Sequence, residues 1–205
     1  MKSIFRLIMI VLLLGAGAAQ ALPIVYTATL TGLAENPSNA SPGIGTASVT
    51  YDSDLHTLGI EVIFSDLIGT TTVAHIHCCI DPPGNAGVAT TTPSFTGFPL
   101  GVTSGSYSVL LDLTLASSFN SSFVNNNGGT LLDAETALAT GIDGGRAYFN
   151  IHTTMYGAGE IRGFLAAVPE PTTWWLLGIG LAALVSSRRM VKARAMTLFV
   201  RARSQ

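Results

Sequence analysis

The chain has 205 residues and a formal net charge of −2, but its charges are unevenly distributed. Eight of the ten lysines and arginines lie in the two terminal segments, whereas residues 22–167 carry two arginines against eleven acidic residues. An acidic middle segment repels phosphate backbones, so we exclude nucleic acid as a partner. The middle segment has the length of one ordinary domain.

The first 21 residues have the features of a secretory signal peptide. Lys2 and Arg6 make a positively charged start, and an uncharged apolar run follows over residues 7–19. Ala19 and Ala21 fit the small-x-small site of signal peptidase, so we predict a signal helix that this enzyme removes. The alternative is an uncleaved anchor helix, which these small residues disfavour.

Alternation of apolar and polar residues dominates the middle segment and predicts β-strands. Each alternating run gives the strand one apolar face and one mixed face. Turn-forming Asn, Asp, Pro and Gly separate the runs. The predicted strands are 24–33, 45–51, 58–64, 71–79, 107–115, 146–152 and 160–166.

One segment of the middle, residues 131–139, is predicted to be helical, with Gly141 as its stop. The strands recur every 8–15 residues with turns between them. This pattern predicts an all-β fold, an antiparallel β-sandwich with one short helix.

Three of the four histidines fall on two predicted strands. His75 and His77 are two residues apart and so share a face with Cys79, while His152 alternates with the apolar residues of its own strand. All three imidazoles are predicted to point away from the apolar face. They then form an exposed patch, a second packed face or a metal site, and three imidazoles with an open fourth position suit zinc or copper. His56 lies in a hairpin and is predicted to be at the surface.

The two cysteines, Cys78 and Cys79, are adjacent. An exported protein normally pairs its cysteines, yet neighbouring residues are closer than ordinary disulfide geometry allows. A strained vicinal disulfide, free thiols, an intermolecular bridge and a metal ligand at Cys79 all remain open.

Glu160 and Arg162 share one face of the last predicted strand, where a salt bridge between them would fix strand pairing. The sequence contains no nucleophile and base in a recognisable catalytic pattern, and neither a G-x-S-x-G motif nor a P-loop. We therefore expect a protein that is not an enzyme.

The C-terminal segment, residues 168–189, predicts a membrane helix. Pro169, Glu170 and Pro171 precede an uncharged run of about 25 Å as a helix, against a hydrocarbon core of ~30 Å. Arg188 and Arg189 follow, and a basic tail over 190–205 would stay cytoplasmic.

Val-Pro-Glu-Pro, a short apolar helix and an arginine pair together resemble the PEP-CTERM sorting signal. This resemblance implies processing by an exosortase in a Gram-negative bacterium that makes exopolysaccharide. The chain departs from the usual pattern by continuing to Gln205.

Three ordered motifs of the middle segment resemble the CHRD domain: residues 74–77 (AHIH), 147–154 (AYFNIHTT) and 159–163 (GEIRG). The opening at 33–37 resembles the start of that family. The resemblance implies an immunoglobulin-like, Greek-key β-barrel with a distant likeness to copper-zinc superoxide dismutases. Cys78 and Cys79 stand where the family usually has glycine.

Together these features predict an exported protein, held first in the inner membrane and then placed at the cell surface or in an exopolysaccharide matrix. Its expected partners are signal peptidase, exosortase, the membrane and envelope components such as exopolysaccharide. The alternative is a copper- or zinc-binding module that uses His75, His77 and His152, with Cys79 as a further candidate ligand.

Overall fold

The computed structural model describes residues 21–169 and 178–183. The predicted signal helix lies outside the described residues, as does most of the predicted membrane helix, of which residues 178–183 are helical. Within the described ranges, no helix is both long and apolar enough to cross a membrane. The chain divides into two units, residues 1–168 and 169–205.

In its described part, residues 21–168, the first unit is built mainly from eight strands. Their bounds are β1 Ile24–Thr31, β2 Ile44–Asp52, β3 Thr57–Ser65, β4 Thr71–Cys78, β5 Gly105–Asp112, β6 Ala147–Thr153, β7 Ile161–Phe164 and β8 Ala166–Ala167. The predicted strands all form, with ends that shift by a few residues.

Alternation explains why these segments are strands. In β3, the side chains of Leu58, Ile60, Val62 and Phe64 are buried in the core, whereas Glu61 points to solvent. The neighbours β2 and β5 pair with β3 in continuous antiparallel register, so their buried residues pack beside those of β3. One apolar face per strand is thus gathered into one core.

All strands pair in one antiparallel sheet, in the order β4-β6-β7-β1-β2-β3-β5, with β8 beside β1. The sheet is open and curls into a half-barrel around the core. The predicted all-β antiparallel fold is confirmed, and a single curled sheet forms it.

Two α-helices lie between β5 and β6. The first, α1 (Ser121–Asn126), was not predicted from the sequence; Asn120 caps it by accepting a hydrogen bond from the Ser122 amide. The second, α2 (Leu131–Asp143), begins where predicted, with Thr130 as its N-cap. It does not stop at Gly141, but ends before Gly144 and Gly145.

Strand β6 is buried on both faces, which alternation alone does not predict. One face packs in the core. The other faces the loop after β4, whose Ala86 amide donates to the Tyr148 hydroxyl of β6. Hydrogen bonds from Ala89 to Ile76 and from Phe95 to Ala74 hold this loop along the edge of β4. This covered second face carries the candidate site.

Candidate metal centre

Two adjacent strands bring three histidines together on the covered face. His75 and His77 project from β4, alternating with Ala74 and Ile76 of the core. His152 projects from β6, where Val73 is its register partner. Neighbouring antiparallel strands place side chains of one face within contact of each other, so the pairing of β4 with β6 assembles the cluster.

The three imidazoles form a compact, buried triangle. Their ring centroids are 5.5, 5.7 and 5.8 Å apart, and one ring nitrogen of each lies within 4.8 Å of those of the others. The exposed fractions of His75, His77 and His152 are 5%, 8% and 9%. The sequence left open an exposed patch, a second packed face or a metal site for these histidines, and their burial shows that the exposed patch is wrong.

Backbone carbonyls fix which nitrogen of each ring carries the proton. His75 Nε2 faces the carbonyl of Pro93, His77 Nδ1 faces that of Ala86 at 2.9 Å, and His152 Nδ1 faces that of Gly157 at 3.0 Å. A carbonyl oxygen only accepts, so each of these nitrogens must donate.

The remaining nitrogens, His75 Nδ1, His77 Nε2 and His152 Nε2, are buried and have no hydrogen-bond partner within the described part of the chain. Each is therefore an acceptor whose lone pair is unused. Buried polar atoms are almost always paired. Three unpaired nitrogens in one cluster are thus unusual, and a bound cation would satisfy all of them.

The electrostatics keep the three rings neutral. The pKa of His77 is lowered to about 4, mainly by burial, with smaller contributions in the same direction from His152, His75 and Arg162 and an opposing one from the hydrogen bond to Ala86. Burial also lowers the pKa of His75 and of His152, against a smaller opposing effect of their backbone hydrogen bonds. Neutral imidazole is the form that ligates metals, so no proton has to leave at neutral pH.

The donor set fits a zinc or copper ion. Three imidazole nitrogens suit both metals, and a carbonyl on the far nitrogen of each ring is the usual outer contact of a metal-ligating histidine. Zn–N bonds of 2.0–2.1 Å in a tetrahedron place the nitrogens about 3.4 Å apart. The rings would have to close in from separations of up to 4.8 Å.

A polar network borders the cluster on the same face. In the strand register, Asn150 lies between His75 of β4 and Arg162 of β7. Asn150 Oδ1 and Glu35 Oε1 are also buried atoms without a partner among the residues that the structure describes. Burial raises the pKa of Glu35 to about 7, although Arg162 and Asn150 act in the opposite direction.

Arg162 ties two loops to this face and is 1% exposed. Its Nε donates to the Ala34 carbonyl at 2.6 Å, and its two terminal nitrogens donate to Asn85 Oδ1 at 2.6 Å and to the Pro83 carbonyl at 2.8 Å. The guanidinium also stacks on the Tyr148 ring at 4.6 Å. These contacts of Arg162 fix the segment that ends at Ala86, whose carbonyl accepts a hydrogen bond from His77.

The predicted salt bridge between Glu160 and Arg162 is wrong. Arg162 lies 3.8 Å from Glu35 instead. The carboxylate of Glu160, which precedes β7, is buried and accepts hydrogen bonds from four groups: the hydroxyls of Ser41 and Thr153 and the amides of Ile68 and Gly69. The two residues are two apart, but the rule that such residues share a face of a strand does not apply here, because Glu160 lies outside β7.

Cys79 does not join the histidines, contrary to the prediction that it shares their face. Strand β4 ends at Cys78, so alternation does not extend to Cys79. The two cysteines form a vicinal disulfide, one of the states left open by the sequence. Cys79 Sγ lies 3.6 Å from the Ala137 carbonyl oxygen of α2.

His56 lies away from the cluster, in the hairpin between β2 and β3. Its side chain is 43% exposed, and Nδ1 is 2.9 Å from a carboxylate oxygen of Glu135 in α2. The predicted surface position thus also makes a hydrogen bond to α2.

The predicted processing residues fall mostly beyond the described ranges, namely Ala19, Glu170, Pro171, Arg188 and Arg189. Ala21 and Pro169 are described, at the two ends of the described range 21–169. The amide of Ala21 donates to Asp54 at 3.1 Å.

Glu35, Tyr148 and Asn150 border the cluster but were not predicted from the sequence. A signal for two of them was present, because Tyr148, Asn150 and His152 are spaced by two along one strand and so share a face. Glu35 lies on a distant loop, and no local pattern connects it to this strand.

Fold and site define a class: an antiparallel β-domain with a buried histidine cluster on its second face. Comparison with protein families identifies the family within this class. The chain belongs to the CHRD domain family, which matches residues 26–165, and a PEP-CTERM protein-sorting motif matches residues 167–189. No curated protein and no solved structure matches the chain significantly. A PEP-CTERM tail is a sorting signal processed by exosortase, and it marks the chain as an exported, membrane-anchored precursor.

Proposed function

We propose that the CHRD domain is a non-enzymatic module that binds one zinc or copper ion through His75, His77 and His152. The observation that carries this proposal is the set of three buried, neutral ring nitrogens without hydrogen-bond partners in the described structure. Each ring is held by a carbonyl on its far side, which fixes its tautomer and orientation. Binding of a cation removes three unsatisfied buried acceptors at once.

The test is metal titration of the exported chain, purified in detergent, with Zn²⁺, Cu²⁺ and Cu⁺. We expect one equivalent to bind. Loss of a contact outside the ligand shell weakens metal sites about 10–100-fold, so His77→Ala or His152→Ala should exceed that loss. His56→Ala removes a histidine remote from the cluster and should leave the affinity unchanged. A chain that purifies without metal and binds no added metal contradicts the proposal.

The pH dependence of binding gives a second reading of the same experiment. Because burial lowers the pKa of His77 to about 4, protons should compete with the metal only as pH approaches that value. Ordinary exposed histidines would lose metal already below about pH 6.5. Since the pKa values of His75 and His152 are lowered as well, we expect the affinity to fall only at a pH below the roughly 6.5 at which exposed histidines begin to lose metal.

We further propose that exosortase processing of the tail places this domain at the cell surface or in an exopolysaccharide matrix of a Gram-negative bacterium. The sorting motif over residues 167–189 supports this destination. In cells with and without exosortase, fractionation followed by mass measurement should give a shorter, surface-associated chain only when exosortase is present. The same size and location in both strains would contradict it.

A further inference from the structure

A vicinal disulfide stands directly beside the candidate metal centre. Cys78 follows His77 at the end of β4 and is buried in the core, while Cys79 is partly exposed. The two sorting segments do not involve these cysteines, and the metal centre does not use their sulfur atoms. The functions proposed above therefore do not account for the disulfide.

The sulfur atoms fill their space against α2. A Cβ atom added at Gly141 would overlap both Cys78 Sγ and Cys79 Sγ. Bonded sulfur atoms are about 2.05 Å apart, whereas unbonded heavy atoms need about 3.5 Å or more. The two sulfur atoms therefore lie directly against α2 at Gly141, so we expect their separation on reduction to move α2 or the chain around Cys79.

Solvent reaches the disulfide from the surface. Cys79 lines two depressions between the end of β4 and the helices, of about 580 and 300 Å³. Asp133, Thr136 and Arg146 line the larger one, and Asn120 and Phe123 line the smaller one. Cys78 also lines the smaller depression, whereas the larger one is lined by Cys79 alone of the two, so a small thiol that enters the larger depression meets Cys79.

We propose that Cys78–Cys79 is a thiol-exchange site whose reduction weakens metal binding at the neighbouring histidines. A thiolate from a low-molecular-weight thiol attacks Cys79 Sγ, forms a mixed disulfide and releases the Cys78 thiolate, which takes up a proton. A second thiolate attacks the external sulfur of the mixed disulfide and releases Cys79. The products are two cysteine thiols and one external disulfide, so two equivalents of thiol are consumed.

The path to the metal centre is short. The Cys78 amide donates to the Gly87 carbonyl at 3.2 Å, and the preceding carbonyl, that of Ala86, accepts from His77 Nδ1. Displacement of Cys78 therefore moves the partner that orients His77. Loss of such an outer contact weakens metal sites about 10–100-fold, and we expect a loss of that size on reduction. This coupling rests on the proposed metal function, whereas the exchange step does not.

The experiment compares the oxidised chain in detergent with the same chain reduced by glutathione and desalted without oxygen. Free thiols are counted with a chromogenic disulfide, and Zn²⁺ affinity is measured for both states. The Cys78→Ala/Cys79→Ala double variant lacks both the disulfide and the thiols, so it separates loss of the bridge from zinc binding by free cysteine. We expect two thiols after reduction and at least about 10-fold weaker binding in both the reduced chain and the double variant.

Each contrary outcome is distinct. A disulfide that stays intact in millimolar glutathione overturns the exchange site. Two free thiols with unchanged affinity, or a double variant that binds zinc as tightly as the oxidised chain, overturn the coupling. If the oxidised chain binds no metal, the proposed function fails and the coupling fails with it, while the thiol count still decides the exchange step.

Discussion

Replacing Arg162 by methionine is expected to destabilise the CHRD domain by about 3–5 kcal/mol, the loss typical of removing one partner from a buried pair. The guanidinium is buried and is hydrogen-bonded to two separate loops. Methionine fills much of the volume but leaves those carbonyls and the Glu35 carboxylate unpaired. Urea unfolding of the exported chain in detergent measures the loss.

Two variants test that reasoning. Arg146→Met removes the other arginine of the domain, which is half-buried, and should change stability by about 1 kcal/mol or less. Adding Glu35→Gln to Arg162→Met removes the carboxylate that the first substitution leaves unpaired, and it should restore part of the stability. Equal losses in the two arginine variants would mean that burial and pairing of Arg162 do not stabilise the fold.

Replacing Glu160 by glutamine is expected to destabilise the domain by about 3 kcal/mol. The carboxylate accepts four hydrogen bonds, and an amide group at one end can accept none there. Donors that are left buried and unpaired cost about 1–3 kcal/mol each. Glu61→Gln, at an exposed position of β3, is the matched control and should leave stability unchanged.

The pH dependence of the Glu160 effect has a definite sign. Burial by itself raises the pKa of Glu160, but the hydrogen bonds from Ser41, Thr153, Ile68 and Gly69 outweigh it, and the pKa is lowered below its usual 4.5. The stabilisation is then fully present above about pH 4.5 and is lost as the pH falls below it. The gap between wild type and Glu160→Gln should shrink in acid; a gap that widens there contradicts the assignment.

The strands could be predicted from the sequence because alternation is a local signal. Residues 58–64 show this: four apolar side chains at every second position become the buried face of β3. The short helix α1 was missed, because six residues without an apolar stripe carry little periodic signal. Gly141 was misread as a stop because only the structure shows the disulfide that it packs against.

The candidate site could be predicted only in part. The spacing of His75 and His77 places them on one face, but the proximity of His152 depends on the pairing of β4 with β6. The burial of the cluster depends on a loop that folds back over the strand, which no pattern within that strand encodes. The true partner of Arg162 is likewise a residue from the far end of the domain, Glu35.

The order of strands in the sheet has a consequence for export. Strand β1 lies between β2 and β7, with Thr31 opposite Arg162, and Val168 donates to the Val25 carbonyl. The sheet interior therefore stays open until its last residues arrive, because the closing pairs join opposite ends of the polypeptide. During passage across a membrane, β1, β2 and β3 can pair as they emerge, but β1 gains its second neighbour only when residues 161–168 have followed.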